Sequence, residues 1–310
     1  MINFQQKLFS ASDRVLAAVS GGADSVVMLD LLAALRQRLG FTLAVAHLEH
    51  QIRQATARRD AEFVENLAAR YRLPFHLAVK NVPQLAGQEG LSLEDAGRRA
   101  RYEFFFQEAR LHNYNVIALA HHLDDQAETI IFRLLRGAAA RGLSGIAEER
   151  IEQGLRIVRP LLGTEKQAIL AYAQKNALAF QEDETNQDTA YTRNKLRREI
   201  LPLLKEINPS YQEGLRRTAD ILRDDDDYLE QAARQIYADV VLAETPERIK
   251  LDAVALRGCH RALARRVVRL AVERLTGALN DVSLLFVENF LDNGLTALSL
   301  DDRGKLLVSK

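Results

Sequence analysis

The sequence predicts an α/β fold in which a doubly wound parallel sheet is followed by a smaller, mainly helical domain. The first 160 residues alternate short apolar runs with helical patterns of 12 or more residues. Strands joined by such crossovers form parallel sheets with both faces covered. From Thr164 onward the pattern turns helical, and 310 residues exceed the usual size of one domain. We therefore expect two domains, at residues 1–208 and 209–310.

Apolar runs and helical periodicity place the elements in order. Ser92 is expected to cap one helix, because Asp95 follows three residues later as in a capping box. The last residues, LDDRGKLLVSK, read as the first half of a β-hairpin with no partner strand. Strands are predicted at 14–19, 42–46, 75–79, 116–120 and 156–158. Helices are predicted at 26–39, 57–71, 92–112, 124–136, 164–176, 192–207 and 210–242.

Composition narrows the class of protein. Apolar residues make up 47% and charged residues 27% of the chain, which favours folded cores over disorder. The first ten residues lack the apolar stretch of a signal peptide, and no run approaches the roughly 18 apolar residues of a membrane helix. We therefore expect a cytoplasmic protein with no membrane partner. The single cysteine, Cys259, excludes an internal disulfide framework and CxxC zinc sites.

The most specific motif is SGGADS at residues 20–25, between the first strand and the first helix. Glycines let the backbone turn tightly and bring amide groups against an anion, and the helix N-terminus adds further N–H groups. The hydroxyls of Ser20 and Ser25 can donate as well. Asp24 would repel a phosphate, so we expect it to bind Mg²⁺ or to cap the helix. The motif is neither GxxxxGK[ST] nor GxGxxG, which disfavours a dinucleotide fold.

The motif HLEHQIR, residues 47–53, follows the second strand. Open α/β sheets bind ligands at this carboxyl edge, so we expect His47 and Arg53 to face nucleotide or RNA. A zinc pair is the alternative for the two histidines, and it is disfavoured because no third ligand lies nearby in sequence.

The motif HHLDDQAET, residues 121–129, follows the fourth strand and opens a helix. Asp125 and Glu128 are three residues apart and share a helix face. With His121 beside them, these carboxylates suit the binding of an ammonium group and the removal of its proton. Helix capping and compensation of the helix dipole are the alternative roles for Asp124 and Asp125.

Positive charge is concentrated locally although 42 basic residues balance 42 acidic ones. Residues 191–217 hold seven basic and three acidic residues, and residues 257–274 hold six and one. Such patches are expected of proteins that contact a phosphate backbone, whereas helix faces that balance acidic neighbours are the alternative. The glycine-rich segment that contains Arg141 suits a flexible contact with RNA.

These motifs, in this order over residues 14–205, resemble the tRNA(Ile)-lysidine synthetases of the PP-loop ATP pyrophosphatase superfamily. The resemblance implies a Rossmann-like catalytic domain. Members often have asparagine where this chain has Glu49 and glycine where it has Gln51. Longer members carry a further C-terminal domain, which we expect to be absent or truncated here. The matching blocks are SGGADS, HLEHQIR, RRARY, AHHLDDQAETIIFRLLRG, ARGLSGI, RPLL and EDETNQDTAYTRNKLRREILPLL.

The resemblance implies an ATP-dependent ligase that joins free L-lysine to C2 of the wobble cytidine in the CAU anticodon of an isoleucine tRNA. The reaction passes through an adenylated cytidine and releases AMP and pyrophosphate. Two alternatives are an adenylating enzyme of small molecules, similar to NAD synthetase, and a catalytically inactive RNA-binding protein. The sequence leaves the oligomeric state open and admits a homodimer.

The resemblance also implies roles for individual residues. Catalysis is expected of Asp24, His121, Asp125 and Glu128. ATP is expected at Ser20, Gly21, Gly22, Ala23, Asp24, Ser25, His47 and Arg101, with Mg²⁺ at Asp24. Lysine is expected at Asp125 and Glu128. Contacts with tRNA are expected of Arg53, Arg136, Arg141, Arg193, Lys195, Arg197 and Arg198.

Overall fold

The computed structural model describes residues 1–51, 54–181, 195–277, 282–301 and 306–309, with residues 54–58 described by their helical backbone alone. The chain divides into two compact units, Met1–Ala219 and Asp220–Lys310. The division falls within a long helix. The domain boundary expected at residue 208 stays a prediction.

The first unit contains a six-stranded sheet in the order β3-β2-β1-β4-β6-β5. Neighbouring strands are parallel except for β5 and β6, which are antiparallel. The order reverses between β1 and β4, and ligands bind at such switch points beyond the carboxyl ends of the strands. The strands are β1 (Arg14–Ala18), β2 (Thr42–Glu49), β3 (Phe75–Val79), β4 (Val116–Ala118), β5 (Glu149–Glu152) and β6 (Leu155–Val158).

The antiparallel edge strand β5 was missed by the sequence analysis, which predicted the partner strand β6 alone. The two strands are joined by Gln153 and Gly154, both with positive φ, of 51° and 79°. Two consecutive left-handed residues form the hairpin turn that matches the twist of antiparallel strands. The signal was weak because glutamine rarely adopts positive φ.

Helices cover both faces of this sheet. Ser92 caps the N-terminus of helix α4 (Leu93–Leu111). Its hydroxyl accepts a hydrogen bond from the Asp95 amide at 3.1 Å, so the predicted cap is confirmed. A short π-helical turn, Leu196–Ile200, precedes α8. The helices of this unit are α1 (Ala23–Leu39), α2 (Gln54–Arg70), α3 (Val82–Glu89), α4 (Leu93–Leu111), α5 (Leu123–Leu135), α6 (Ala140–Leu143), α7 (Lys166–Lys175) and α8 (Leu201–Ile207).

Alternation along β1 builds one core on each face of the sheet. Val15 and Ala17 are buried in a cluster with side chains of α1, α2 and α7. Leu16 points to the opposite face and lies among side chains of α3 and α4. Because both faces of a parallel strand are covered, the strand sequence is apolar throughout.

The second unit contains helices and an antiparallel sheet in the order β10-β9-β8-β7. The expectation of a mainly helical domain was incomplete, because it missed this sheet. The last segment of the sequence was expected to have no partner strand. This expectation was wrong, because its strand β10 pairs with β9, which also pairs with β8. The elements are the part of α9 (Tyr211–Val240) from Asp220 onward, β7 (Val241–Thr245), β8 (Arg248–Leu251), α10 (Ala253–Gly258), α11 (Arg261–Thr276), α12 (Leu284–Asp292), β9 (Ala297–Leu300) and β10 (Leu306–Ser309).

The long helix α9 confirms the helix predicted over 210–242. It is strongly amphipathic and carries the acidic run 224–227. In the part of the chain that the structure describes, no helix combines the length and the apolar content needed to cross a bilayer.

Candidate active site

The SGGADS loop joins the carboxyl end of β1 to the start of α1. Gly21 has φ of +96°, a conformation that favours glycine. The Ser25 hydroxyl accepts hydrogen bonds from the amides of Ser20 and Gly21, each at 3.2 Å, and donates to the Gly22 carbonyl at 2.9 Å. Ser25 therefore shapes the loop from within, while Gly22 and Ala23 form the helix N-terminus. Amides at a helix N-terminus favour a bound anion.

Asp24 lies in the first turn of α1 and forms an ion pair with Lys166. The ammonium of Lys166 lies 2.6 Å and 2.8 Å from the two carboxylate oxygens of Asp24. Lys166 is the first residue of α7, so the contact links two helices that begin 143 positions apart. Lys166 was not predicted as a site residue, because nothing in the segment RPLLGTEK marks this lysine as part of a site.

His122 lies at the centre of three carboxylates. Its Nε2 is 3.4 Å from Asp125 Oδ2 and 3.7 Å from Asp24 Oδ2, and its Nδ1 is 3.6 Å from Asp124 Oδ2. Burial opposes protonation, but the charge of Asp125 and of the other carboxylates raises the pKa of His122. His122 belongs to the motif HHLDDQAET, but a catalytic role was predicted for His121 instead.

Asp124 and Asp125 both cap helices, as the alternative reading of these residues anticipated. The His122 amide donates to Asp125 Oδ2 at 3.0 Å, and the Lys166 amide donates to Asp124 Oδ2 at 3.0 Å. Burial would raise the pKa of Asp124, but His122 and the Lys166 amide lower it to about 2. Asp125 thus caps the start of α5, and Asp124 caps the start of α7. The second cap lies beside the SGGADS loop at residues 20–25, which is the predicted phosphate loop.

Asp125 and Glu128 lie on one face of α5, as their spacing predicted, and both contact Arg197. The Nη2 atom of Arg197 lies 3.2 Å from Asp125 Oδ1 and 2.8 Å from Glu128 Oε2. The side chain of Glu128 is only 7% exposed. Arg197 was expected to contact tRNA, and its guanidinium instead lies on the pair of carboxylates expected to take lysine.

His121 differs from its neighbour. Burial lowers the pKa of His121 to about 4. The charge of Asp125 opposes this shift, and the charges of Arg159 and Arg101 add to it. The Nδ1 atom of His121 is buried and has no hydrogen-bond partner among the described residues. His121 is therefore a neutral imidazole at physiological pH, with the lone pair or proton of Nδ1 available to a ligand.

Two other residues expected at the ATP site lie near the same sheet edge. His47 is buried on β2 and makes a 2.8 Å hydrogen bond between Nδ1 and the Val19 carbonyl, so one ring nitrogen supports the end of β1. Burial lowers the pKa of His47. Arg101 lies on α4 and donates to the Gly97 carbonyl at 3.4 Å, and its charge acts on His121.

The segment after α5 is anchored. Arg133 donates to the carbonyls of Gly142 and Gly145 at 2.9 Å and 3.0 Å. The buried amide of Gln126 accepts from the Ile146 amide at 2.6 Å and donates to its carbonyl at 3.1 Å. These contacts hold the loop that carries Arg141 against α5.

The residues expected to contact tRNA are spread over the first unit. Arg53 and Arg193 lie outside the described residues. Arg136 lies at the end of α5, with its guanidinium 5.3 Å from the centre of the Phe132 ring. The exposed members among the described residues are Arg136, Arg141, Lys195, Arg197 and Arg198, of which Arg197 contacts Asp125 and Glu128.

The chain is similar to curated proteins of known activity. The PP-loop domain family matches residues 2–204. The tRNA(Ile)-lysidine synthase of Geobacter sulfurreducens is 42% identical over 286 residues, which cover 92% of this chain and 60% of that protein. The enzyme of the same name from Petrotoga mobilis is 36% identical over 265 residues, which cover 86% of this chain and 80% of that protein.

Among solved structures, the U34-tRNA thiolase NcsA from Methanococcus maripaludis, with its [4Fe-4S] cluster, aligns with a TM-score of 0.58 and 16% identity. The alignment covers 71% of this chain and 75% of that one, and it shows a shared fold. The chain spans about 60% of the length of several of its curated relatives. By its PP-loop domain and its identity to these relatives, the chain belongs to the tRNA(Ile)-lysidine synthase family.

Proposed function

We propose that this protein ligates lysine to C2 of the wobble cytidine of an isoleucine tRNA with a CAU anticodon, using ATP. The observation that carries the proposal is the pair Asp125 and Glu128, which holds a cationic side chain within one cluster with Asp24 of the phosphate loop. Lysidine synthesis needs both features, an anion site for ATP and carboxylates for an ammonium. The membership of the chain in the family supports the same reaction.

In the first step, the C2 oxygen of cytosine attacks the α-phosphorus of ATP and pyrophosphate leaves. Negative charge grows on the departing pyrophosphate, and preorganised N–H donors lower the energy of such charge in the transition state. The amides of the first turn of α1, from Ala23 onward, would supply these donors, because those of Gly21 and Gly22 already donate to Ser25 and Ser20. The ion pair with Asp24 holds Lys166 beside the loop. Its ammonium would supply a positive charge to the departing pyrophosphate.

One carboxylate of this cluster, Asp24, fits a magnesium ion. Mg²⁺ prefers oxygen ligands and is commonly bound by one or two carboxylates together with substrate phosphates. Asp24 lies in the first turn of α1, where the SGGADS loop forms the helix N-terminus. It would hold Mg²⁺ there, and the ion would neutralise charge on the phosphates when bound.

In the second step, the ε-amine of lysine attacks C2 of the adenylated cytidine and AMP leaves. Lysine arrives as an ammonium and must lose one proton to react. Asp125 and Glu128 would bind the ammonium where the guanidinium of Arg197 lies in this structure, so Arg197 would have to move aside or share the carboxylates. Glu128 or the neutral His121 would take the proton.

The tRNA would bind through the exposed basic residues of the first unit, Arg136, Arg141, Lys195 and Arg198. An anticodon loop presents unstacked bases, so the wobble cytidine can enter the site at little cost. The alternative substrate class, a small molecule as in NAD synthetase, is not favoured because the curated relatives are tRNA(Ile)-lysidine synthases.

The proposal is tested by pyrophosphate release. We expect release to require ATP together with an isoleucine tRNA that has a CAU anticodon, and to be absent with nicotinate-containing precursors of NAD. Replacement of Asp24 by alanine should abolish release while the circular dichroism spectrum stays unchanged. Release by the wild type without tRNA, or at the wild-type rate by a folded Asp24→Ala protein, would contradict the proposal.

A further inference from the structure

A second cluster of titratable side chains lies away from the catalytic edge. His76 is the second residue of β3, Glu108 lies in the last turn of α4, and His112 caps the same helix. His112 and Tyr114 precede β4, so the cluster lies where strands begin. The phosphate loop follows the other end of β1, which is parallel to β4.

We infer that His76, Glu108 and His112 form a zinc site. In the part of the chain that the structure describes, they are the one group of three such residues whose ligand atoms all lie within 4.8 Å of one another. Two imidazoles and one carboxylate form a set that binds zinc in proteins and leaves a fourth position for water. The proposal is independent of the proposed function, because none of these residues belongs to the site described above.

The distances match the geometry that zinc requires. Glu108 Oε2 lies 3.0 Å from His76 Nδ1 and 3.5 Å from His112 Nε2. Ligands about 2.0–2.1 Å from a tetrahedral ion are about 3.3–3.4 Å apart. The ligand atoms therefore need to move by only a few tenths of an ångström along these two edges to accept the ion.

A further hydrogen bond orients the first ligand. His76 Nε2 lies 3.1 Å from the Tyr114 hydroxyl, which can accept the proton of this nitrogen. When zinc is bound, a proton on Nε2 would leave the lone pair of Nδ1 for the ion between His76 and Glu108. Histidines that bind metals in proteins donate their other ring N–H in this manner.

The backbone that carries His112 is held in place. The Arg14 guanidinium donates to the carbonyls of His112 and Asn113 at 3.1 Å and 2.8 Å. His112 follows Glu108 by four positions at the end of α4, which places both on one helix face, and Asn113, with φ of +58°, turns the chain toward Tyr114. The side chains of His76 and Glu108 are 13% and 17% exposed, while that of His112 is 42% exposed. An ion can therefore enter from solvent past His112 and bind to the two ligands beneath it.

Titration of the metal-free full chain with Zn²⁺, followed by calorimetry, tests the inference. We expect one strong site, and visible absorption bands of four-coordinate Co²⁺ when cobalt replaces zinc. Replacement of the exposed ligand, His112→Gln, should lower zinc affinity by more than about 100-fold and abolish the cobalt bands. Tyr114→Phe, which keeps all three ligands, should lower affinity by about 10–100-fold. Glu103→Gln, which removes an exposed carboxylate from the same helix, is the matched control and should bind as the wild type does.

Thermal unfolding supplies a second readout. Because the ion would join the edge strand β3 to the end of α4, zinc should raise the Tm of the wild type and of Glu103→Gln. It should leave the Tm of His112→Gln unchanged. Two results would overturn the inference: a wild type that binds no stoichiometric zinc at micromolar concentration, or a His112→Gln protein that binds zinc as tightly as the wild type. Either would show that the cluster is an ordinary group of hydrogen-bonded side chains.

Discussion

At the scale of the residue, His121 and His122 are adjacent in sequence, and their pKa values are shifted in opposite directions. Burial is the largest influence on both and lowers the pKa of His121 to about 4. The carboxylates of Asp125, Asp124 and Asp24 outweigh burial at His122 and raise its pKa. The raised pKa of His122 favours the protonated form, which can hold the carboxylates together, and the lowered pKa of His121 favours the neutral form, which can accept a proton.

The neutral state of His121 predicts a dependence of stability on pH. A histidine whose pKa is lower in the folded state binds more protons when unfolded, so its contribution to stability is intact above about pH 6.5 and is lost as the pH falls toward 4. Between pH 7 and pH 4, wild-type unfolding free energy should fall more than that of His121→Gln, by on the order of 2–3 kcal/mol. Urea unfolding at a series of pH values measures this difference. The exposed His260→Gln serves as control and should follow the wild-type profile, and a His121→Gln profile with the same slope as wild type would refute the assignment.

At the scale of the element, the site combines motifs that the sequence displays with contacts that only folding creates. The loop at 20–25 and the pair Asp125 and Glu128 could be predicted, because each motif directly follows a strand that was correctly placed. Lys166 and Arg197 could not be assigned to the site, because their partners lie 142 and 69 positions away. The sequence around Lys166 and Arg197 does not indicate which residues their side chains contact in the folded protein.

The same limit applied to the second unit. Strand β7 has an exposed sequence, VLAET, without the alternation that marks a half-buried strand. The basic patch over residues 257–274 was expected to contact phosphates or to balance acidic neighbours. The structure supports the second reading, because Arg261 and Arg265 pair with Glu288, and Arg266 pairs with Asp226 at 2.5 Å.

The two basic segments should therefore respond differently to salt. We expect the variant Lys195→Ala with Arg198→Ala to reduce the slope of log affinity for tRNA against log salt by roughly 0.7 for each lost phosphate contact. The matched variant Arg261→Ala with Arg265→Ala should leave the slope unchanged, because these arginines bind carboxylates of α12. Filter binding over a range of salt concentrations measures both. Equal slopes for the two variants would mean that the segment at 195–198 does not contact the RNA backbone.

The anchored loop after α5 depends on Gly145. Its φ is +66°, and a Cβ atom there would lie 2.5 Å from the Gln126 side chain, which is buried and bonded to Ile146. Gly145→Ala should therefore destabilise the protein by on the order of 2 kcal/mol. Gly137→Ala is the matched control, since φ is +74° but no atom lies within 4 Å. Chemical unfolding should show the larger loss for Gly145→Ala, and equal losses would show that the contact with Gln126 is unimportant.

At the scale of the whole molecule, the proposed anion site and the proposed cation site of the first unit lie at one edge of one sheet. The strand order reverses between β1 and β4, and the predicted phosphate loop follows the first of these strands while the carboxylate motif follows the second. This topology could be predicted because strands and crossovers alternate regularly up to residue 160. In the proposed function, two half-reactions that share one intermediate would therefore proceed without its release.

This arrangement predicts that the two half-reactions can be separated at Glu128. Adenylation of the cytidine does not require an ammonium site, whereas attack by lysine does. Glu128→Gln should therefore transfer AMP from ATP to tRNA but incorporate little lysine. Glu165→Gln is the matched control, because it removes an exposed carboxylate that makes no capping hydrogen bond, and both steps should proceed as in the wild type.

Labelling of tRNA by α-³²P-ATP and by ¹⁴C-lysine in the same Glu128→Gln preparation tests the role of Glu128 most directly. We expect adenylated tRNA that accumulates in the presence of lysine, together with loss of lysine incorporation by at least about 100-fold, the low end of the contribution expected of a general base. If Glu128→Gln incorporates lysine at the wild-type rate, or fails to adenylate tRNA while Glu165→Gln succeeds, then Glu128 does not serve the lysine step.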